Sequence, residues 1–243
     1  MTVRLNLATL SIRTLQISQT ALKMDTQRLF AHFPQELQDR LRSVAHIQTY
    51  APGEAVFHQG TSATAMYAVL QGRLKIARVT PDGYESILCV RQEGEYFCPV
   101  PVLDDKAQLG TAIAMTDLTV LWVECETFQT LCHQHPQLLA TVQGDCLAEV
   151  RRLLDRMETF AYRNVRQRLA QALVDEVRRQ RRVGDAPIEL SMIQQDLAGL
   201  VGASRESVSR NLKQLERDQI VAVQRGKVRI LDLLRLKKIA AIE

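Results

Sequence analysis

The stretch from Gly202 to Glu216 reads GASRESVSRNLKQLE. Val208, Leu212 and Leu215 recur at helical spacing, so one face of a short helix is apolar. Ser204 stands where an N-cap belongs, directly after a Gly202-Ala203 turn. Arg205, Glu206, Ser209 and Arg210 fall on the outward side. An arginine fork can take both acceptors of a guanine, a glutamate accepts from the amino group of cytosine, and a serine hydroxyl bonds bases or phosphates. The same four residues also suit an ordinary solvated face with Glu206 paired to Arg210. The flanking sequence therefore has to decide.

On the N-terminal side, the pattern predicts a helix over about 192–201. On the C-terminal side, IVAVQRGKVRIL (220–231) predicts two short strands joined at Arg225-Gly226. Helix, Gly-containing turn, helix and β-hairpin make a winged helix-turn-helix, whose second helix presents its N-terminal residues to a major groove. A further helix is predicted over 161–183, followed by a turn at Gly184-Asp185-Ala186-Pro187. From Phe160 onward the chain carries seventeen Lys and Arg against ten Asp and Glu; the remainder carries fourteen against seventeen. A basic C-terminal third beside a mildly acidic remainder points to a polyanionic partner for that third.

The full chain has 243 residues, enough for two small domains. Its 46% hydrophobic and 24% charged residues are those of a globular protein. No run of about 18 apolar residues predicts a membrane span, and the Arg4, Asn6 and Arg13 interruptions argue against a secretory leader. A cytoplasmic protein without membrane contact is expected. Five cysteines without a CxxC pair read as free thiols, each a small buried hydrophobe unless something more specific calls on it.

Residues 1–26 show no pattern and are expected to form an N-terminal extension. A helix is predicted over 29–45, around Leu29, Phe30, Phe33, Leu37 and Leu41. From Tyr50 short β-rich runs alternate with glycines at 53, 60, 72, 83 and 94, the punctuation of an antiparallel barrel or sandwich over 46–128. Pro81-Asp82-Gly83 supplies a hairpin turn between two such runs. From Pro136 the period becomes helical again. Leu139, Val142, Cys146, Val150, Leu153, Met157 and Phe160 form a narrow seam, with Arg151, Arg152, Asp155 and Arg156 lying off it. The seam predicts a dimerisation helix over 136–160, or else a helix packed on its own barrel.

The chain thus resembles the CRP/FNR family of bacterial transcription regulators over roughly 27–235. The carriers are YAPGEAVFHQG (50–60) with MYAVLQGRLKI (66–76), similar to a cyclic-nucleotide-binding-type β-roll, and LSMIQQDLA (190–198) with GASRESVSR (202–210), similar to the DNA-binding signature. The resemblance implies an α+β chain. A β-roll sensor (27–135) would be followed by the dimerisation helix (136–160) and a winged helix-turn-helix domain (161–243). It also implies a homodimer on a palindromic site of double-stranded DNA, with RNA polymerase as a further partner if the protein activates. Glu206, Ser209 and Arg210 match the E-x-x-S-R pattern of the FNR branch, which implies a TTGAT-like half-site. Ile193 departs from the threonine that relatives often carry near the start of the first helix, where a phosphate contact would be made.

The cAMP-binding members carry a Gly-Glu pair for the ribose and an Arg-Ser pair for the cyclic phosphate. Here Cys98-Pro99 stands at the first pair and Gln108-Leu109 at the second. A phosphodiester in a pocket needs a fixed cation, and only Lys106 lies nearby, so cAMP is not the expected effector. An iron–sulfur cluster of the FNR type is not expected either, because no Cys precedes Cys89. Phe97-Cys98 is similar to the haem-containing CO sensor of the family, which implies Cys98 as a haem ligand. That relative's nearby histidine is replaced by Val100, leaving His58, His46 or an N-terminal group as the second ligand. Cys98 as a redox thiol, with Cys89 or another Cys, is the second reading; a buried packing residue is the third. No nucleophile–base constellation or phosphate-binding loop points to an enzyme. The remaining alternatives are a ligand-binding β-roll acting without specific DNA binding and a regulator with no effector.

Overall fold

A computed structural model describes residues 33–80, 82–97, 99–180 and 188–241. The expected N-terminal extension, Leu29, Phe30, Pro81, Cys98 and the 184–187 turn lie outside the described residues. The chain divides into two compact units: residues up to Lys75 with Arg91–Val142, and Ile76–Val90 with Gln143 onward.

The first unit begins with helix α1 (Gln35–Val44), which buries Leu37 and Leu41. Strands β1 (His46–Tyr50), β2 (Ala55–Phe57), β3 (Ala65–Gln71), β4 (Arg73–Val79), β5 (Glu85–Gln92) and β6 (Tyr96–Phe97) follow. After the short helix α2 (Pro99–Asp104) come β7 (Thr111–Ala114) and β8 (Leu118–Glu124), then α3 (Cys125–Gln134). The strands make two four-stranded sheets, ordered β1-β8-β3-β6 and β2-β7-β4-β5; Ile76–Val90, which holds most of β4 and β5, is counted with the second unit. β3 is buried along nearly its whole length and pairs antiparallel with β8, Ala68 opposite Leu121. A central strand covered on both faces needs this continuous apolar sequence. The core joins Leu37, Leu41, Met66, Leu70, Leu121 and Phe128 to Leu138 and Val142.

Gly72, at the β3–β4 turn, has φ +89°, and a Cβ there would collide with the Asp117 carbonyl oxygen. Only glycine serves there. The β4–β5 hairpin closes where Gly83 N–H donates to Thr80 O at 2.8 Å and Thr80 N–H to Tyr84 O at 2.9 Å. The barrel strands stop at Glu124, four residues before the expected end at 128, because Phe128, Leu131 and Cys132 recur at helical spacing and bury one face of α3.

Helix α4 spans Pro136–Tyr162 without a break, two residues beyond the expected end. In the second unit α5 (Val165–Arg179) starts with a capping box: Gln167 N–H donates to Asn164 Oδ1 at 3.0 Å, and Asn164 N–H donates to Gln167 Oε1 at 3.0 Å. Then come β9 (Ile188–Ser191), α6 (Gln194–Val201), α7 (Arg205–Arg217), β10 (Val221–Gln224), β11 (Lys227–Ile230) and α8 (Leu233–Ile239). The sheet order is β10-β11-β9. Its core holds Leu169, Leu173, Leu190, Leu197, Val208, Leu212, Leu215, Val228 and Leu236. Strand β9 and helices α2, α3 and α8 were not expected from the sequence.

Candidate nucleic-acid interface

α7 is anchored by its apolar stripe. Val208 and Leu215 are fully buried and Leu212 is 1% exposed. The opposite side is thereby fixed outward: Arg205, Glu206 and Arg210 are exposed, and Ser209 is half-buried. Lys213 and Arg217 continue the exposed basic side toward the C-terminus. Ser204 caps the helix, its hydroxyl oxygen accepting from Ser207 N–H at 3.2 Å. Ser204→Ala should cost about 1 kcal/mol of stability, measured by urea unfolding. A change below about 0.3 kcal/mol would show that the cap is idle.

The Glu206 carboxyl is held below the usual carboxylate range by its own backbone N–H and the Ser204 hydroxyl, with Arg205 and Arg210 adding to the effect. It therefore stays an anion able to accept a base amino group.

The turn before α7 ends α6 at Gly202, in the left-handed region with φ +58°. Ile193 occupies the N-cap position of α6, where its apolar side chain has no acceptor for a capping bond, and it is exposed. On the other flank, Gln224 faces Lys227 across a two-residue turn of Arg225 and Gly226, with Gly226 at φ +74°. This wing is tied to α7, because Val223 N–H donates to Glu216 Oε1 at 2.9 Å. Lys227 and Arg229 converge on Glu189 at 2.8 and 3.0 Å, joining β11 to β9. Hydrogen bonds from Lys227 and then Arg229 hold the Glu189 carboxyl below its usual range. A depressed carboxylate stabilises the fold above its unfolded pKa and loses that effect as pH falls through the folded value. Wild type should therefore lose more stability than Glu189→Gln on acidification below about pH 4.3, read by thermal unfolding across pH. Parallel curves would show that the two bonds are energetically silent.

The seam residues separate along α4. Val142 is buried in the core of the first unit and Cys146 is half-buried. Val150, Leu153, Met157 and Phe160 are 52%, 40%, 66% and 42% exposed. Leu147 and Leu154, absent from the sequence reading, widen the exposed stripe. The 147, 150, 154, 157 spacing was legible, but the 142, 146, 150 series masked it.

Around the candidate sensor segment, Cys98 lies outside the described residues. Phe97 is fully buried and stacks on Tyr67 at 5.1 Å, with Phe57 beside both. Pro99 is half-buried at the first position of α2, where its missing N–H costs nothing. Val100 is 40% exposed. Gln108 is buried, and its backbone bonds Gly60 and Thr61; Lys106 pairs with Asp104 at 3.5 Å. Cys89 is half-buried in β5. His46 stacks on Trp122 at 4.5 Å and is exposed, as is His58, so neither candidate second ligand faces inward.

No described helix is long and apolar enough to cross a membrane. The cyclic nucleotide-binding domain family matches residues 47–135, and the Crp-like helix-turn-helix domain family matches 167–239. The chain is 27% identical over 207 residues to the cyclic AMP receptor protein of Thermus thermophilus, covering 85% of this chain and 93% of that protein. It is 27% identical over 192 residues to the HTH-type transcriptional regulator Cmr of Mycobacterium tuberculosis, covering 79% of this chain and 75% of that one. The solved structure of FixK2 from Bradyrhizobium japonicum is 21% identical with a TM-score of 0.73, over 82% of this chain and 99% of that one, and shows the shared fold. A β-roll followed in one chain by a DNA-binding helix-turn-helix, each matched in its own right, makes the protein a member of the CRP/FNR family of transcription regulators.

Proposed function

We propose that this regulator binds a palindromic site of double-stranded DNA as a homodimer, inserting α7 of each protomer into one half-site. The observation that carries the reading is the exposure of Arg205, Glu206 and Arg210 on a helix whose other face is fully buried. With Ser204 and Ser209 these residues suit a TTGAT-like half-site. Half-sites should lie about one helical turn apart. Footprinting on such a palindrome tests it; protection no stronger than on scrambled DNA of the same composition would overturn it.

The homodimer reading draws on the exposed stripe of α4. Leu147, Val150, Leu154 and Met157 leave the helix apolar where a single chain meets water. A second copy of the same helix, paired along that stripe, covers it. Two charges there, Val150→Glu with Leu154→Glu, should halve the mass seen by sedimentation at micromolar concentration. An unchanged mass would move the interface elsewhere. Cys146, half-buried beside the stripe, should then affect dimer stability when substituted.

The signal we infer is not a cyclic nucleotide. Gln108 stands where a phosphate-binding arginine would be expected, and Lys106 is engaged with Asp104 on the surface. Cys98 remains the residue of choice, as a redox thiol with Cys89 as a partner or as a haem ligand. Phe57, Tyr67 and Phe97 pack ring against ring in the first unit, and neither His46 nor His58 is buried as an inward second ligand would be, which favours the thiol reading. An absorption spectrum of freshly purified protein separates the two by its Soret band. Cys98→Ser should abolish the response of DNA affinity to oxidation or to haem, measured by fluorescence anisotropy. If the variant tracks wild type in every condition, Cys98 is a packing residue. Cytoplasmic action and contact with RNA polymerase complete the proposal.

A further inference from the structure

Near the end of α4, the Arg156 guanidinium makes three backbone hydrogen bonds. It donates to the carbonyl oxygens of Ile87, at 2.9 Å, and Leu88, both in β5. It also donates to Leu200 O, in the last turn of α6, at 3.3 Å. Arg168 of α5 takes the next two carbonyls, Val201 O at 2.8 Å and Gly202 O at 3.4 Å, and Arg163 O at 2.8 Å. The Phe160 ring lies against both guanidinium groups, 5.8 Å from Arg156 and 5.3 Å from Arg168. A Cβ on Gly202 would sit 2.8 Å from that ring, and one on Gly199 would sit 2.9 Å from Cγ1 of Ile87. Arg179 holds the same strand, donating to Val90 O at 3.1 Å.

The carbonyls of Leu200, Val201 and Gly202, at the end of α6, thus receive side-chain donors from α4 and α5. Arg156 gives up part of its hydration for this, and burial pushes its pKa down. A guanidinium presents its donors in a rigid fork. Hydrogen bonds are lost over less than about 1 Å of misplacement, so strand and turn are held at one fixed offset.

We propose that Arg156 is the coupling residue of this regulator: it locks strand β5 to the turn that carries α7, so that a displacement of β5 is passed to the DNA-reading helix. This rests on the DNA-binding reading of α7. β5 runs from Glu85 to Gln92, so beyond Val90 the same strand continues into the first compact unit. A signal that moves the strand there arrives at Arg156 through two consecutive carbonyls. Arg156 touches no base; it is a positioning residue.

The test uses full-length Arg156→Lys, which keeps the charge and loses the fork, with Arg156→Met as a second variant should lysine find a new partner. Hydrogen–deuterium exchange, read without DNA, should speed up at 87–90 and 200–203 together, with 169–177 unchanged. Affinity for a two-half-site palindrome should fall about tenfold or more, within the usual range of coupling, while affinity for a single half-site stays at the wild-type value. Faster exchange at only one of the two segments, or at neither, overturns the proposal, as does unchanged palindrome affinity with both segments loosened. Wild type that binds neither DNA sinks the DNA-binding reading instead, and the exchange result then decides whether strand and turn are coupled.

Discussion

Leu212→Ala should lower the unfolding free energy by about 2–5 kcal/mol, the cost of emptying a core site that collapses only in part. Leu212 is 1% exposed and belongs to the cluster that also holds Leu169, Leu173, Val208 and Leu215. A thirteen-residue helix is marginal in water on its own, so α7 exists because this stripe is buried. The variant should lose DNA binding in proportion to the fraction unfolded. Chemical denaturation checks the stability, with Lys213→Ala, on the exposed side of the same helix, as the control expected within about 0.5 kcal/mol of wild type. A Leu212→Ala cost below about 1 kcal/mol would mean that the stripe does not hold the helix.

Arg210→Ala should cost about 1–3 kcal/mol of binding to the preferred site and relax the choice of base at one position in each half-site. Its side chain is exposed one and a half turns into the helix, in reach of a base edge when the N-terminal end of α7 enters a groove. Lys213→Ala gives the contrast. A lysine near the backbone should lose affinity uniformly across sequences and reduce the salt slope by about one. Binding selections on randomised half-sites separate the cases. If Arg210→Ala weakens every sequence equally, Arg210 is a phosphate contact and base choice lies with Arg205 and Glu206.

Much of this interface could be read from the chain. The stripe of α7 is periodic, Ser204 is a strong cap, and Arg225-Gly226 interrupts two β-rich runs, so each local signal agrees with the tertiary answer. The barrel was legible through its glycines, of which Gly72 proves sterically obligatory. Helix α2 was not, because PVPVLD carries two prolines; the first sits where a helix tolerates it. β9 was missed because four residues pair only with a strand about forty positions on. The contacts of Arg156 leave no trace in sequence. Their acceptors are backbone carbonyls 44 to 69 residues away, and a carbonyl looks the same on every residue. For the same reason the sequence reading dismissed Arg156 as lying merely off the seam.

The unbroken α4 has a purely geometric consequence. Twenty-seven residues at 1.5 Å each make a rod about 40 Å long. A tilt of about 5° at its first turn swings its last turn sideways by about 3.5 Å, close to the 3.4 Å step between successive bases along a strand. A change of a few degrees is therefore enough, at the far end of such a lever, to produce a displacement of one base step.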